Sequence, residues 1–271
     1  MVLSVNTNQA AALALQQLNI TNNQLNQTQL NITTGLKING PKDDPSSFAI
    51  AQNLRGDIAG TQSVNLALST GGSIVNVAVN AGQSIADLLT QAKAKIVQAN
   101  QSGLDAVSRT ALNNDFAALR AQIDTIVATA AFAGTNLIAS GVSSLTVLST
   151  VDGSTIAVSA QDLSATGLSI QSLDLTTQSG ASAALDAINT AITTTSDKLA
   201  ALGASAKRIE LQGDFTTKLI NILQGGVGTL VDADLAEESA KLQALQVKQQ
   251  LGVQALSIAN QSPQSILSLF R

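Results

Sequence analysis

Lys42, Asp43 and Asp44 stand together immediately before Pro45, with Arg55 further along the chain. Two carboxylates beside an ammonium group could hold a cation or move a proton. Nothing else in the sequence completes such a site. The chain has no His and no Cys, which removes the commonest general base, the Ser-His-Asp triad, Cys-zinc ligation and any disulfide. No catalytic, cofactor-binding or metal-ligating residue is therefore assigned, and an enzyme is not expected. Pro45 biases Asp44 toward extended backbone, so the cluster reads as a break between two helices, with Arg55 placed to pair with Asp43 or Asp44. Gly225, Gly226 and Gly228 form the other candidate motif. A lone GxG with no strand before it is weak as a phosphate loop, and it reads as a hinge or a close-packing site in a helical segment.

The elements that would position these groups follow from composition and periodicity. The chain has 271 residues, of which 45% are hydrophobic and only 12% charged, about half the usual quarter. Its polarity comes from amides and hydroxyls. There is no Trp or Tyr to stack on sugars or bases, and the net charge is -4, so no nucleic-acid partner is expected. No run of about 18 apolar residues predicts a transmembrane helix. The N-terminus lacks a basic start, and Asn and Gln break its apolar run, so no standard secretory signal is expected.

Charge is missing where it is normally richest. Residues 1–36 contain no Asp, Glu, Lys or Arg, and neither do residues 249–270. Uncharged ends are expected to become buried against something. Both have a heptad pattern. Ala11, Leu18, Leu25 and Ile32 recur every seventh residue, with Leu15 and Leu36 at the companion position and Asn22 and Gln29 interrupting it. Leu235, Leu242, Leu245, Val253, Leu256 and Ala259 form a similar stripe at the other end. These are coiled-coil seams diluted by amides. Ordering a residue costs about 1–2 kcal/mol, and a buried leucine returns about 1.5–3 kcal/mol. Such sparse apolar content cannot hold an isolated pair, so the ends are expected to be disordered in the monomer and to order on assembly with further copies of the chain.

The middle carries stronger helices. Ile74, Val77, Ala81, Ile85, Leu88, Ala92, Ile96 and Ala99 make one stripe, and Leu112, Phe116, Leu119, Ile123, Ile126 and Ala130 a second. Leu185, Ile188, Ile192, Leu199, Leu202, Ala206 and Ile209 make a third, continuing to Leu219, Leu223 and Leu230. Asp105 or Ser108 is placed to cap the second helix and Ser182 the third. In SLTVLSTVDGSTIAVSA the period changes to two around Asp152-Gly153, which predicts a β-hairpin. The Gly-, Ser- and Thr-rich remainder of residues 132–181 reads as surface loop. The expected fold is mainly α: long antiparallel helices that run in from both ends, with a small β region at the middle of the chain.

The segment ITTGLKINGPKDDPSSFAIAQNLRGDIAG, the run DADLAEESAKLQALQVKQQLGVQALSIANQSPQSILSLFR and the stretch from NLALSTGGSIVNVAVNAG to FAGTNLI resemble the flagellin family. The resemblance spans all but about residues 140–181. It implies an extracellular, self-assembling subunit of the bacterial flagellar filament. Residues 1–40 and 232–271 would form the terminal coiled coil of the filament core, residues 41–139 and 182–231 the helical rod, and residues 140–181 a short outward-facing variable region. It implies a homopolymer whose subunit interface uses Leu18, Leu25, Ile32, Leu242, Leu245 and Leu256. Asp43, Asp44, Pro45 and Arg55 would lie at the junction of coiled coil and rod. Further implied partners are the flagellar export apparatus, an export chaperone, and cap and junction proteins, with no membrane span and no cofactor. The rival within the same machinery is a hook–filament junction protein.

LTQAKAKIVQ, residues 89–98, is similar to the family segment read by the flagellin-sensing Toll-like receptor. Strongly stimulating members carry LQRVRELAVQ there. Gln91, Ala94 and Lys95 replace the key residues, and Asp115 falls where such members have a second acid. The resemblance therefore implies weak recognition, with Lys95 as an unpaired charge.

Overall fold

In the computed structural model, residues 7–142 and 144–267 are described. Five helices and two small hairpins follow one another: α1 (Gln9–Thr34), α2 (Pro45–Ala99), α3 (Ala106–Thr129), β1 (Ala131–Phe132), β2 (Thr135–Asn136), β3 (Leu145–Leu148), β4 (Thr155–Val158), α4 (Gln178–Val231) and α5 (Leu235–Leu267). The chain divides into two compact units. One holds the described residues up to Gly56 and from Ile222 onward; the other is Asp57–Asn221.

The central unit is built on the predicted stripes. Ile85, Leu89 and Ile96 of α2, Phe116 and Ile123 of α3, and Ile188 and Leu202 of α4 are fully or almost fully buried in one apolar core. Asp105 caps α3: its carboxylate accepts the Ser108 N–H at 2.8 Å and the Ser108 hydroxyl at 2.8 Å. Of the two predicted caps, Asp105 is the one used. Ser182 is not a cap. α4 begins earlier, and the Thr177 hydroxyl accepts the Gly180 N–H at 3.1 Å.

The predicted hairpin forms as β3 and β4, antiparallel, with Leu145 opposite Val158 and Leu148 opposite Thr155. Its turn spans Thr150–Gly153, closed by the Gly153 N–H on the Thr150 carbonyl at 3.2 Å, and Gly153 sits at φ +91°. The hairpin lies on α2 at Gly71, where a Cβ would come within 2.5 Å of Val147. The shorter hairpin, β1 with β2, turns through Ala133 and Gly134, both at positive φ, the combination that suits a tight hairpin loop.

A further expectation is corrected. Much of the segment read as surface loop is core: Leu163, Ala165, Ile170 and Leu175 are fully buried. Side chains on the helices anchor its backbone. Asp124 accepts the Ala165 N–H, Asn113 accepts the Leu175 N–H, and Arg120 donates to the Gln171 carbonyl. The Ser/Thr content hid the spaced apolar residues. The glycines at 225, 226 and 228 do not break α4, which runs through them to Val231. Of the hinge and close-packing readings, Gly228 fits the second, since a Cβ there would meet the Asp232 carboxylate at 2.7 Å.

Candidate assembly interface of the terminal helices

α1 and α5 pack on each other as an antiparallel pair. Asn8 Nδ2 donates to the Ala259 carbonyl at 2.7 Å, Gln249 Nε2 to Asn22 Oδ1 at 2.7 Å, and Asn31 Nδ2 to Glu238 Oε1 at 3.3 Å. Gly252 gives Leu18 room, because a Cβ at 252 would lie 3.2 Å from Leu18 Cδ1.

The seam follows the strict three-four spacing of a coiled coil. On α1 the shielded positions include Ala11, Ala14, Leu18, Thr21, Leu25, Thr28 and Ile32; on α5, among the described side chains, they are Glu238, Leu242, Leu245, Gln249, Gly252, Leu256 and Ala259. Leu18, Leu25, Ile32, Leu242, Leu245 and Leu256 thus all lie on this seam within the single chain. Leu15, Leu235 and Val253 do not; each is about half exposed, and Thr21, Gln249 and Gly252 are among the residues that complete the seam instead. Thr21 is compatible with burial because its hydroxyl donates to the Gln17 carbonyl at 2.9 Å. Of the four buried residues of α1, three are polar: Thr21, Thr28 and Asn31. The pair therefore buries little apolar side chain.

A second apolar set faces away from the seam. On α5 it is Val247, Leu251 and Ile258, at 55%, 58% and 70% exposure. On α1, Leu13, Ile20 and Leu30 are also exposed.

Where α1 ends, Gly35 adopts the left-handed conformation at φ +72° and returns its N–H to the Asn31 carbonyl. The chain then runs beside the end of α4. Leu36 bridges Asp232, the Lys37 N–H donates to the Val231 carbonyl at 2.8 Å, and the Ala233 N–H donates to the Gly35 carbonyl at 2.8 Å. Ile38, Ala51 and Val231 form a small buried cluster beneath this link.

The acidic pair is used by backbone. Asp43 Oδ2 accepts the N–H groups of Asn39 and Gly40 at 2.8 and 3.1 Å. Asp44 caps α2, accepting the Ser46 and Ser47 N–H groups at 3.0 and 3.2 Å and the Ser47 hydroxyl at 2.8 Å. Those bonds, the Ser47 hydroxyl foremost, hold the Asp44 carboxyl below its ordinary pKa. Pro45 occupies the first turn of α2, where its missing N–H costs nothing. The expected pairing with Arg55 is not formed. Among the described residues the ion pairs are Lys95–Asp115, Lys207–Glu210 and Lys241–Glu238. Asp43 and Asp44 are engaged by nearby N–H and hydroxyl donors in place of the arginine. No group of described residues has three or more metal-ligating side chains together.

In the central unit, Gln91 and Ala94 are exposed on α2. Lys95 is not unpaired as expected: its ammonium meets Asp115 of α3 at 2.7 Å. Sequence reasoning missed Arg109, which is buried and donates to the carbonyls of Ala99 and Gln101 at the end of α2. Its isolated place on a helical stripe gave no signal.

The model of the bacterial flagellin N-terminal helical region matches residues 5–143, and that of the C-terminal helical region matches residues 185–270. The chain belongs to the bacterial flagellin family. It is 45% identical over 269 residues to flagellin FljK of Caulobacter vibrioides, covering 99% of this chain and 98% of that one. It is 36% identical over 281 residues to a flagellin of Brucella melitensis, covering 99% of each. A solved structure from Vibrio parahaemolyticus, described as a flagellar hook-associated protein, superposes with a TM-score of 0.58 over 70% of this chain and 100% of that one. At 13% identity that likeness shows the fold alone. As a flagellin, this protein is an extracellular structural subunit of the flagellar filament. No helix among its described residues is long and apolar enough to cross a membrane.

Proposed function

We propose that this flagellin polymerises through the α1–α5 pair. Leu18, Leu25, Ile32, Leu242, Leu245 and Leu256 close each subunit's seam, and Leu13, Ile20, Val247, Leu251 and Ile258 meet further copies. The observation that carries the reading is the exposed apolar set on helices whose outer stretches have no charge. Exposed apolar residues gathered on one element favour a protein partner. Without like charges to oppose close approach, many copies of the same surface can gather, and contacts that do not close on themselves give an open helical polymer. Residues 1–40 and 232–271 are the filament-core part and residues 41–139 and 182–231 the rod. Asp43, Asp44 and Pro45 form the turn between them, and Arg55 follows in the first part of α2.

The small apolar content of the seam supports ordering of α1 and α5 on assembly. Before assembly such a chain suits passage through the flagellar export apparatus with a chaperone, and growth beneath a cap from junction proteins. Gln91, Ala94, Lys95 and Asp115 give weak engagement of the innate receptor, because Lys95 and Asp115 already satisfy each other. Full potency in a receptor-reporter assay would overturn that part. The hook–filament junction role is less favoured, since the relatives matched along the whole chain are flagellins.

The polymer interface is tested by sedimentation and electron microscopy of the double variant L251D/I258D. Both residues point away from the seam, so the central unit should melt as in wild type while filaments fail to form. Normal filaments from this variant would refute the assignment of the outer face.

A further inference from the structure

We infer that Glu238 is a positioning residue for assembly: with Asn31 and Asn39 it ties the α1–α5 pair to the link that precedes α2. The inference rests on the filament reading above. Glu238 occupies a seam position in register with Leu245, Gly252 and Ala259. Its side chain is only 12% exposed, and Oε2 is buried with no hydrogen-bond partner among the described residues. α1 offers it no cation, because residues 1–36 contain none. Among the described residues its ion-pair partner is the more exposed Lys241, on its own helix, 3.6 Å from Oε1. The first turn of α5 favours an acid, yet a largely shielded carboxylate with one unpaired oxygen is costly, and an apolar side chain of similar volume is often neutral or better at such a place. Leucine already serves at seam positions 242, 245 and 256.

What the carboxylate does have is a connection. Asn31 Nδ2 donates to Glu238 Oε1 at 3.3 Å, and Asn31 Oδ1 accepts from Asn39 Nδ2 at 3.1 Å. Asn39 also donates through Nδ2 to the Leu36 carbonyl at 3.0 Å and through its backbone N–H to Asp43 Oδ2 at 2.8 Å. Asp43 directly precedes Asp44, the cap of α2. One chain of hydrogen bonds thus runs from α5 through α1 and the link toward the start of α2. An ionised carboxylate only accepts, so it needs the Asn31 amide nitrogen turned toward it, which leaves Asn31 Oδ1 for Asn39. The amide oxygen of a glutamine at 238 accepts the same bond.

The test separates positioning from stability. Wild type, E238L, E238Q and the exchange N31E/E238N are compared in elongation from short filament seeds and in thermal melting of the filaments so formed, where the α1–α5 pair is ordered. E238L should melt at or above the wild-type temperature yet elongate roughly tenfold more slowly, the signature of a polar contact kept for specificity. E238Q and the exchanged pair should elongate within about twofold of wild type, since each restores the bond between positions 31 and 238. Three results would overturn the inference: E238L elongating like wild type, E238L losing melting temperature in step with elongation, or the exchanged pair failing to recover. Failure of wild type itself to elongate would instead overturn the filament reading, and this inference with it.

Discussion

Single residues set the ends of the helices, and two of them give direct predictions. The Asp105 carboxyl is held below its ordinary pKa, first by the Ser108 N–H and then by the Ser108 hydroxyl. A carboxylate with a lowered folded-state pKa stabilises above its unfolded pKa, and that contribution is lost as pH falls through the folded value. D105A should therefore melt lower than wild type at neutral pH, and the gap should close in acid. D105N should keep most of the stability, because asparagine also caps. A gap that widens in acid would contradict the assignment. Arg109→Met should cost about 1–3 kcal/mol in urea denaturation, because it strips the buried carbonyls of Ala99 and Gln101 of their donor; an unchanged midpoint would show that water replaces the guanidinium. At this scale the sequence was only partly legible. The Asp105 cap and the Pro45 break were visible from residue type and position. The capture of Asp43 and Asp44 by N–H groups close in sequence was not, because spacing alone does not choose between an arginine and a nearby backbone donor.

At the scale of elements, close contacts decide packing. Gly71→Ala would drive a Cβ into Val147, whose branched side chain is stiff. The substitution should destabilise the central unit by about 1–3 kcal/mol, and V147A should restore most of the loss. A neutral G71A would show that the hairpin moves freely on α2. For α1 and α5, amide exchange should be fast across residues 9–34 in the monomer and slow in the filament. Strong protection in a verified monomer would contradict folding on assembly. The apolar stripes of α2, α3 and α4 were legible because a buried helix face repeats every three or four residues. The seam was half legible. Leu18, Leu25, Leu242 and Leu256 stood out by hydropathy, whereas Thr21, Gln249 and Gly252 could be found only by carrying the three-four spacing through polar and small residues. Choosing the nearest apolar residue led to Val253 and Leu235, which face outward. The segment of residues 159–177 was misread because its buried residues are spaced irregularly and held by Asp124 and Asn113, side chains of α3 far away in sequence that no local pattern reveals.

For the whole molecule, the distribution of charge carries the account. The ionisable residues lie between Lys37 and Lys248, apart from Arg271, and apolar residues are exposed on the helices that reach into the uncharged ends. Assembly driven by apolar contact in the absence of charge should respond little to simple salt. Seeded elongation should change less than about twofold between roughly 0.05 and 0.5 M NaCl, a range over which exposed ion pairs are strongly screened; a steep dependence would place the driving contacts among the charged residues of the central unit. The most direct measurement is electron microscopy of the purified protein incubated with short filament seeds, the intact chain beside a chain lacking residues 1–36. The account predicts long uniform filaments from the intact chain and none from the shortened one. Filaments from the shortened chain, or an intact chain that stays monomeric or closes into small rings, would contradict it.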